Sequence, residues 1–541
     1  MTFLLKSERG VAAFIALMMM AMLTLIGLAA MNSSDDEIAI AGNEMQEMEA
    51  FYAAEAGLDK AAASIQNYFD STGKAPATLP SGSESLNNCT VAFDTKSSGA
   101  ISQKTLTTGT LSGLNALCRS FTLTSTATSS TDNAVVQLSV DFEAALIPIF
   151  QFAVFYENDL EFSPGPKMQI NGRVHCNKDM YIEADNQLLI DGYVTSAANI
   201  LHGRKGPGSP DPGEVMFKNS AGLYVSMKDG SDWLDANDTQ WHDSSLARWQ
   251  GRVQDGSHGQ EKLNLPLTSS SGTARSLISP AAGNPDSYEN QADIKFVNGV
   301  ASKRVGGLWV DVTAAMTTAG VIKYNTDKFT DQRENKKVDV MDLDVTKMYD
   351  LGYAPANGVI YFSGNVSGSN WPALRVKNGA ELDAGLTIAS NNPVYTQGDF
   401  NSVNKKPASI MADALTVLSK NFDDTKSTLG YTNRKAVETT INAAFITGNV
   451  NTTSTNYNGG LENLPRFLED WGGINYNWKG SMVNLWLSAQ ATGLWGSGCY
   501  SPPGRNWAYD TDFNDPNNLP PSSPNVRVFQ RTGWKQHDVS I

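Results

Sequence analysis

Between Val11 and Met31 the chain reads VAAFIALMMMAMLTLIGLAAM, roughly 21 residues with no charge among them. A helix of about 20 residues rises about 30 Å, the depth of a bilayer core. Such a run is costly to leave in water, so the rest of the chain has to be arranged around it. Lys6 and Arg9 precede the run. Basic residues on that side hold the first residues in the cytoplasm and send everything after Met31 outward. Asp35-Asp36-Glu37, on the far side, fits that orientation without setting it. No proline interrupts before Pro76, so the pattern predicts one long helix to about residue 70.

Three readings compete for this start. A cleaved secretory signal would have an apolar region of about 7–15 residues ending in a small-residue cleavage site, and this run is longer. A plain single-pass anchor is the second. The third is a prepilin-like leader over residues 1–10, cut at the cytoplasmic face between Gly10 and Val11; Arg9-Gly10-Val11 suits that pattern best. Four stretches add to it in order: Arg9-Gly10-Val11-Ala12-Ala13, Leu23-Thr24-Leu25-Ile26-Gly27-Leu28-Ala29-Ala30-Met31, Ala41-Gly42-Asn43-Glu44 and Ala50-Phe51-Tyr52-Ala53-Ala54-Glu55-Ala56-Gly57-Leu58. Together they resemble the N-terminal domain of PilX-type pilus assembly proteins, minor pilins of the type IV pilus. The resemblance covers about the first 60 residues. It implies an inner-membrane protein that crosses once and later enters a surface fibre. The partners it implies are the membrane, other minor and major pilins, the prepilin peptidase and a PilY-type tip adhesin. Most major pilins carry a Glu at the fifth mature position, which neutralises a neighbour's terminal amine in a low-dielectric core. Counting from Val11, that position is Ile15. The departure implies an initiator or tip subunit rather than a major pilin.

Residues 11–31 then form the transmembrane half of the helix and 32–70 an amphipathic half. Ile38, Met45, Met48, Phe51, Tyr52, Leu58, Ala62, Ile65 and Phe69 recur mostly at steps of three and four. The same stripe serves a helix packed on its own domain and one packed on neighbouring helices. Gly42 and Gly57 each cost about 1 kcal/mol relative to Ala in a helix, and mark a softened point or a close contact.

The formal net charge of −15 and the pI near 4.9 argue against nucleic acid, whose phosphates call for a basic surface. With 541 residues and 41% hydrophobic composition the chain builds a core. Its four cysteines, Cys89, Cys118, Cys176 and Cys499, include no C-x-x-C pair, which disfavours a thiolate zinc site. An oxidising compartment permits disulfides, and Cys89–Cys118, in one Ser/Thr-rich β region, is the expected pair. Cys176 and Cys499 are either free or tied to each other.

The expected fold class is α+β, mostly β. Residues 71–85 read as a linker within a small antiparallel domain over 71–155. Its strands are CTVAFDT, KTLTTGTL, RSFTLTSTAT and NAVVQLSVDFEAAL. From 156 to 541 the texture changes. Ile170-Asn171-Gly172-Arg173-Val174 is echoed by Ile190-Asp191-Gly192-Tyr193-Val194, about 20 residues on, and later by Phe362-Ser363-Gly364-Asn365-Val366, Thr396-Gln397-Gly398-Asp399-Phe400 and Ile446-Thr447-Gly448-Asn449-Val450. Short strands with Gly or Asn turns at that period predict a parallel β-helix, or solenoid, with β-sandwich as the alternative. A long insertion over about 202–350 splits the repeats, with a helical turn near 342–350. Gly459 to Trp471 reads as a short helix with Leu464, Phe467, Leu468 and Trp471 on one face.

No catalytic pattern stands out, and no enzyme or cofactor is expected. The five histidines, His175, His202, His242, His258 and His537, include no metalloprotease spacing. The Gly-x-Ser-x-Gly matches, Gly206-Pro207-Gly208-Ser209 and Trp495-Gly496-Ser497-Gly498, are broken or lack a strand-to-helix context. Asp510, Asp512 and Asp515 resemble the acidic start of a calcium loop, but the loop's Gly and closing Glu are missing and Pro516 intrudes. A turn capped by its own carboxylates is the competing reading. The sequence thus points to a pilus assembly subunit with a β ectodomain for assembly or adhesion. The alternative is a single-pass envelope protein whose β domain binds a glycan or a protein.

Overall fold

The computed structural model describes residues 8–131, 134–206, 208–268, 272–281, 284–365, 369–496 and 498–538. Lys6, most of the 1–10 leader, Val366 of the third repeat, and Pro207 and Ser497 lie outside them.

A single helix, α1, runs Glu8–Thr72. It stops where Gly73 turns left-handed at φ +64° and returns its N–H to the Phe69 carbonyl at 2.8 Å, a glycine C-terminal cap. Past it comes an antiparallel sheet: β1 Gly82–Leu86, β2 Cys89–Ser97, β3 Ser102–Thr105, β4 Asn115–Ser129 and β5 Val135–Pro148. The sheet order is β1-β2-β4-β5, with β3 on β4. Alternation puts Phe121, Leu123 and Ala127 of β4 and Val136, Leu138 and Val140 of β5 in the core, with the alternate residues turned toward solvent. The stretch read as a linker therefore contributes a strand, β1, paired with β2 from Gly82↔Phe93 to Leu86↔Cys89. The last edge comes from the far end of the sequence. Strand Asn525–His537 pairs antiparallel along β5, from Asn525↔Pro148 to His537↔Gln137, so the sheet draws on residues from beyond the 71–155 boundary.

After β5 the pairing turns parallel. The chain visits three ladders in rotation: β6 Val154–Tyr156, β7 Leu160–Phe162, β8 Met168–Ile170, then β9 Val174–Cys176, β10 Met180–Ile182, β11 Gln187–Ile190, then β12 Val194–Ser196, β13 Ile200–His202, β14 Glu214–Lys218. The register is set by the repeat: Val154 pairs with Val174 and Val174 with Val194, Leu160 with Met180 and Met180 with Ile200, Ile170 with Ile190. Each equivalent apolar residue stacks on the one before it, which is why the inward positions are Val, Leu, Ile and Met and are buried.

The region read as an insertion continues these ladders at both ends. Strand β14 stays in register with β11, and Val253–Gln254 pairs with β12. On the other side Ile294–Val297 pairs in parallel with Val359–Ser363, and Lys336–Asp344 with Trp371–Glu381. Residues 202–350 thus carry the chain from one end of the stack to the other. The later strands Leu386–Ser390, Ala408–Ala412, Ala444–Thr447 and Met482–Asn484 then step back until Met482 pairs with Val154. The latest turns of the chain stack directly before its earliest. The helical turn expected near 342–350 is helix Val345–Asp350. The helix expected over 459–471 is a single 3-10 turn, Leu461–Asn463, followed by strand Pro465–Phe467. Pro465 brings no N–H to continue a helix; Leu464, still helical at φ −61° and ψ −51°, is the last such residue before the chain extends. The four apolar side chains are buried all the same.

The expected disulfide is absent. Cys89 and Cys118 are both buried free thiols. Cys89 faces Ser129 across the β2–β4 pair, and Cys118 lies at the other end of β4. At about 3.3 Å per residue they are on the order of 35 Å apart, whereas a bridge needs Cα atoms within about 7 Å. Burial, with the Glu143 carboxylate adding to it, pushes the Cys118 thiol up to about 12, so it is inert at neutral pH.

Candidate assembly helix and its junction

From Val11 to Met48 the large apolar side chains of α1 stand in the open. By length and composition this helix suffices to cross a membrane. Gly10 has nothing within 4 Å of where a Cβ would sit, and Val11 and Ile15 are exposed beside it. The exposed stretch is about 60 Å long at 1.5 Å per residue.

The last six turns are different. Ala50, Ala53, Ala54, Leu58, Ala61, Ala62, Ile65 and Phe69 bury against Val91, Phe121, Leu123, Ala127, Val136, Leu138, Val140 and Ala144 of the head sheet. Of the stripe read from the sequence, Leu58, Ala62, Ile65 and Phe69 belong to this seam, while Ile38, Met45, Met48 and Tyr52 remain exposed. The seam is built chiefly on alanines, which hydrophobic periodicity underweights because each methyl is small. Gly57 shows how close the approach is. A Cβ there would lie 2.5 Å from Ser125 Oγ and 2.7 Å from Val91 Cγ1, whereas one on Gly42 would meet nothing. Gly57→Ala is therefore expected to destabilise the protein by about 1–3 kcal/mol through overpacking, despite its gain in helix propensity. Gly42→Ala is expected to leave the melting temperature unchanged or slightly raised. Thermal denaturation of the two variants checks this pair.

One side chain fastens the helix to the β part. Arg527, on the C-terminal strand, pairs with the Asp70 carboxylate at 2.7 Å, donates to the Asp70 carbonyl, and donates to the Leu265 carbonyl at 3.2 Å. A cleft of about 740 Å³ opens beside it, lined among others by Asp70, Glu157, Arg275, Trp486 and Arg527.

The remaining sequence candidates resolve as follows. Asp510 pairs with Lys405 and with Lys479, Asp512 pairs with Lys405, and Asp515 accepts the Asn517 N–H at 2.9 Å. Asp510 and Asp515 each cap a separate 3-10 turn, so the three carboxylates are spent on lysines and turns. His175 is buried between Thr195 and Asn177, at 2.8 and 2.9 Å, and burial holds its pKa down near 4. One arrangement escaped the sequence reading. Ser245 Oγ lies 2.7 Å from His258 Nε2, and His258 Nδ1 lies 2.9 Å from Asp255 Oδ1, the order of a nucleophilic triad. Ser245, however, is fully buried in the middle of helix α2, Trp241–Trp249, and donates to the His242 carbonyl at 3.0 Å. Asp255 also takes Trp241 Nε1 at 2.7 Å and caps the following turn. No substrate reaches that serine, and the three residues act as a polar staple.

Residues 9–59 match the family described as PilX N-terminal. This is a PilX-type, type IV pilin-like helix. The match begins one residue before Gly10 and ends one residue after Leu58, and so spans the exposed stretch and the first turns of the alanine seam. No curated protein matches the chain. Among solved structures, the crystal structure of the competence-associated pilin ComZ from Thermus thermophilus aligns over 91% of this chain and 97% of that one, at 11% identity and a TM-score of 0.26. Superposition at that level does not establish a shared fold. By length and composition the matched helix fits a single-pass membrane anchor, as in pilins.

Proposed function

We propose that this chain is a minor pilin. Its PilX-type helix first resides in the inner membrane with the N-terminus in the cytoplasm. The prepilin peptidase cuts between Gly10 and Val11, and the helix then packs into a type IV pilus. The ectodomain projects at or near the fibre tip, where it serves assembly or adhesion beside other minor pilins and a PilY-type adhesin. We read its three rotating parallel ladders as a β-solenoid. The work is structural and not enzymatic.

The observation that carries this reading is the division of one helix. Its first part exposes a charge-free apolar surface from Val11 to Met31 and further apolar residues up to Met48, and its last part is locked onto a folded domain. A helix built only to anchor has no need of apolar residues such as Met45, Met48 and Tyr52 beyond the membrane span. A helix that packs among its neighbours in a fibre does. Ile15 in place of the usual Glu supports a position where no neighbour's amine needs neutralising.

The test is the mass of the N-terminal peptide of the protein from native membranes. The expected start is Val11, and Gly10→Asp is expected to leave the leader attached. An intact start at Met1 or Thr2 would instead favour the single-pass envelope protein, and a start beyond residue 30 a secretory signal.

A further inference from the structure

The place where the latest turns of the chain meet its earliest is closed differently on its three sides. On one, Met482–Asn484 forms a backbone ladder with β6. On another, Tyr509 N donates to Asn171 Oδ1 at 2.7 Å. On the third, β7 is the edge of its three-stranded sheet, and the 3-10 turn Leu461–Asn463 lies against it in place of a strand. There, two acids come from opposite sides of the join: Glu161 from β7 and Glu462 from the turn.

Both are buried, at 5% and 4% exposure. Glu161 Oε2 accepts from the Thr452 hydroxyl, and Glu462 Oε1 accepts from Ser163 N at 3.3 Å. Their other oxygens, Glu161 Oε1 and Glu462 Oε2, have no hydrogen-bond partner, and neither does the hydroxyl of Tyr156, which is 1% exposed. Gly460 shows how the oxygens crowd together. Its missing Cβ would sit 2.8 Å from Glu462 Oε2, 2.9 Å from the Glu161 carbonyl oxygen and 2.9 Å from the Tyr457 hydroxyl. Of the nearby cations, Arg204 is paired with Glu183 and Asp211 and Lys205 with Asp159, while Arg505, which lies over Trp507 with its Nε unpartnered, is the one whose charge acts on Glu462.

Buried carboxylate oxygens left without a hydrogen-bond partner, beside one arginine for two acids, call for added positive charge. We propose that Glu161 and Glu462, with the Tyr156 and Tyr457 hydroxyls and the Glu161 carbonyl, hold a hard divalent cation of the calcium class that closes this join. Calcium accepts six to eight oxygens at flexible geometry, carboxylate and neutral alike, with water completing the shell. Magnesium demands a stricter octahedron and keeps more of its water. No three His, Cys, Asp or Glu side chains converge into a cage anywhere among the described residues; this site has two acids and three neutral oxygens. Its competitor is a proton. Burial pushes Glu462 up to about 7, with Glu161 adding to the shift, and burial raises Glu161 as well. The groups facing the pair are Tyr156, Tyr457, Lys205, Asp159 and Arg505.

The experiment uses the full chain in detergent at pH 8, stripped with EGTA and then titrated with calcium or terbium. Calcium is expected to raise the melting temperature by several degrees. Terbium is expected to give tyrosine-sensitised luminescence that calcium displaces. Glu462→Gln and Glu161→Gln are expected to lose both responses while melting, in EGTA, at or above the wild type, because an uncompensated charge has been removed. Asp512→Asn, in the acidic loop near the C-terminus, is expected to keep both. A wild type indifferent to calcium and terbium would overturn the proposal, and would assign the site to a shared proton if stability in EGTA also rises toward pH 5. Responses that survive both glutamine variants would overturn it as well.

Discussion

Ala54→Glu is expected to unseat the PilX-type helix from the β domain at a cost of about 4 kcal/mol or more. Ala54 is fully buried in the alanine seam, among Ala50, Ala53, Leu58 and Ala61 and against the apolar face of the head sheet. A carboxylate there finds no cation, and burial of an unpaired charge is among the costliest single changes a protein meets. The side chain also overfills a seam in which even a methyl on Gly57 would collide. Ala56→Glu, two residues on and exposed, is expected to stay within about 0.5 kcal/mol of the wild type. Limited proteolysis across residues 70–90 and a thermal melt read the difference. If the two variants behave alike, the helix is not held by this face.

Arg375→Ala is expected to cost about 3–5 kcal/mol, the usual penalty for removing one partner of a buried ionic group. Arg375 is 1% exposed and holds two carboxylates in two forks. It reaches Asp342 at 2.6 and 3.1 Å and Asp424 at 2.5 and 3.2 Å. Asp342 is its register partner on the adjacent parallel strand, and Asp424 comes from a distant 3-10 turn. The guanidinium also lies 5.5 Å from the Phe329 ring centroid. Removing it leaves two carboxylates facing each other, with Lys328 touching only Asp424. Arg375→Lys is expected to recover less than half of the loss, since an ammonium cannot make two forks at once. Denaturant unfolding of the three proteins measures both steps.

The helix was legible because its signals are local: a charge-free run, no proline, and a basic flank. The repeat at Ile170 and Ile190 was legible because a stacked ladder imposes identical spacing on successive turns, and Val154, Val174 and Val194 sit one above another for that reason. What escaped was non-local. Nothing near Asn525 announces that it will pair with Pro148, nor does Met482 announce Val154. Spacing between Cys89 and Cys118 suggested a bridge, but register along β4 carries them to opposite ends. Pro465 turned an apparent helical face into a strand. Of the seam's alanines only Ala62 showed in the stripe, and Ala50, Ala53, Ala54 and Ala61 were missed, because small residues carry little periodic signal. The buried pair Glu161 and Glu462 was missed because its two members are about 300 positions apart in sequence.

The central claim is that the exposed part of the helix packs among pilin helices in a fibre. It is tested most directly by shearing fibres from cells that produce the native chain and probing the purified filaments for the ectodomain. The account predicts full-length protein starting at Val11 in the fibre fraction, in few copies, and its loss from that fraction when Gly10 processing is blocked. Protein confined to the membrane fraction, with the fibres free of it, would contradict the account and leave a single-pass envelope protein.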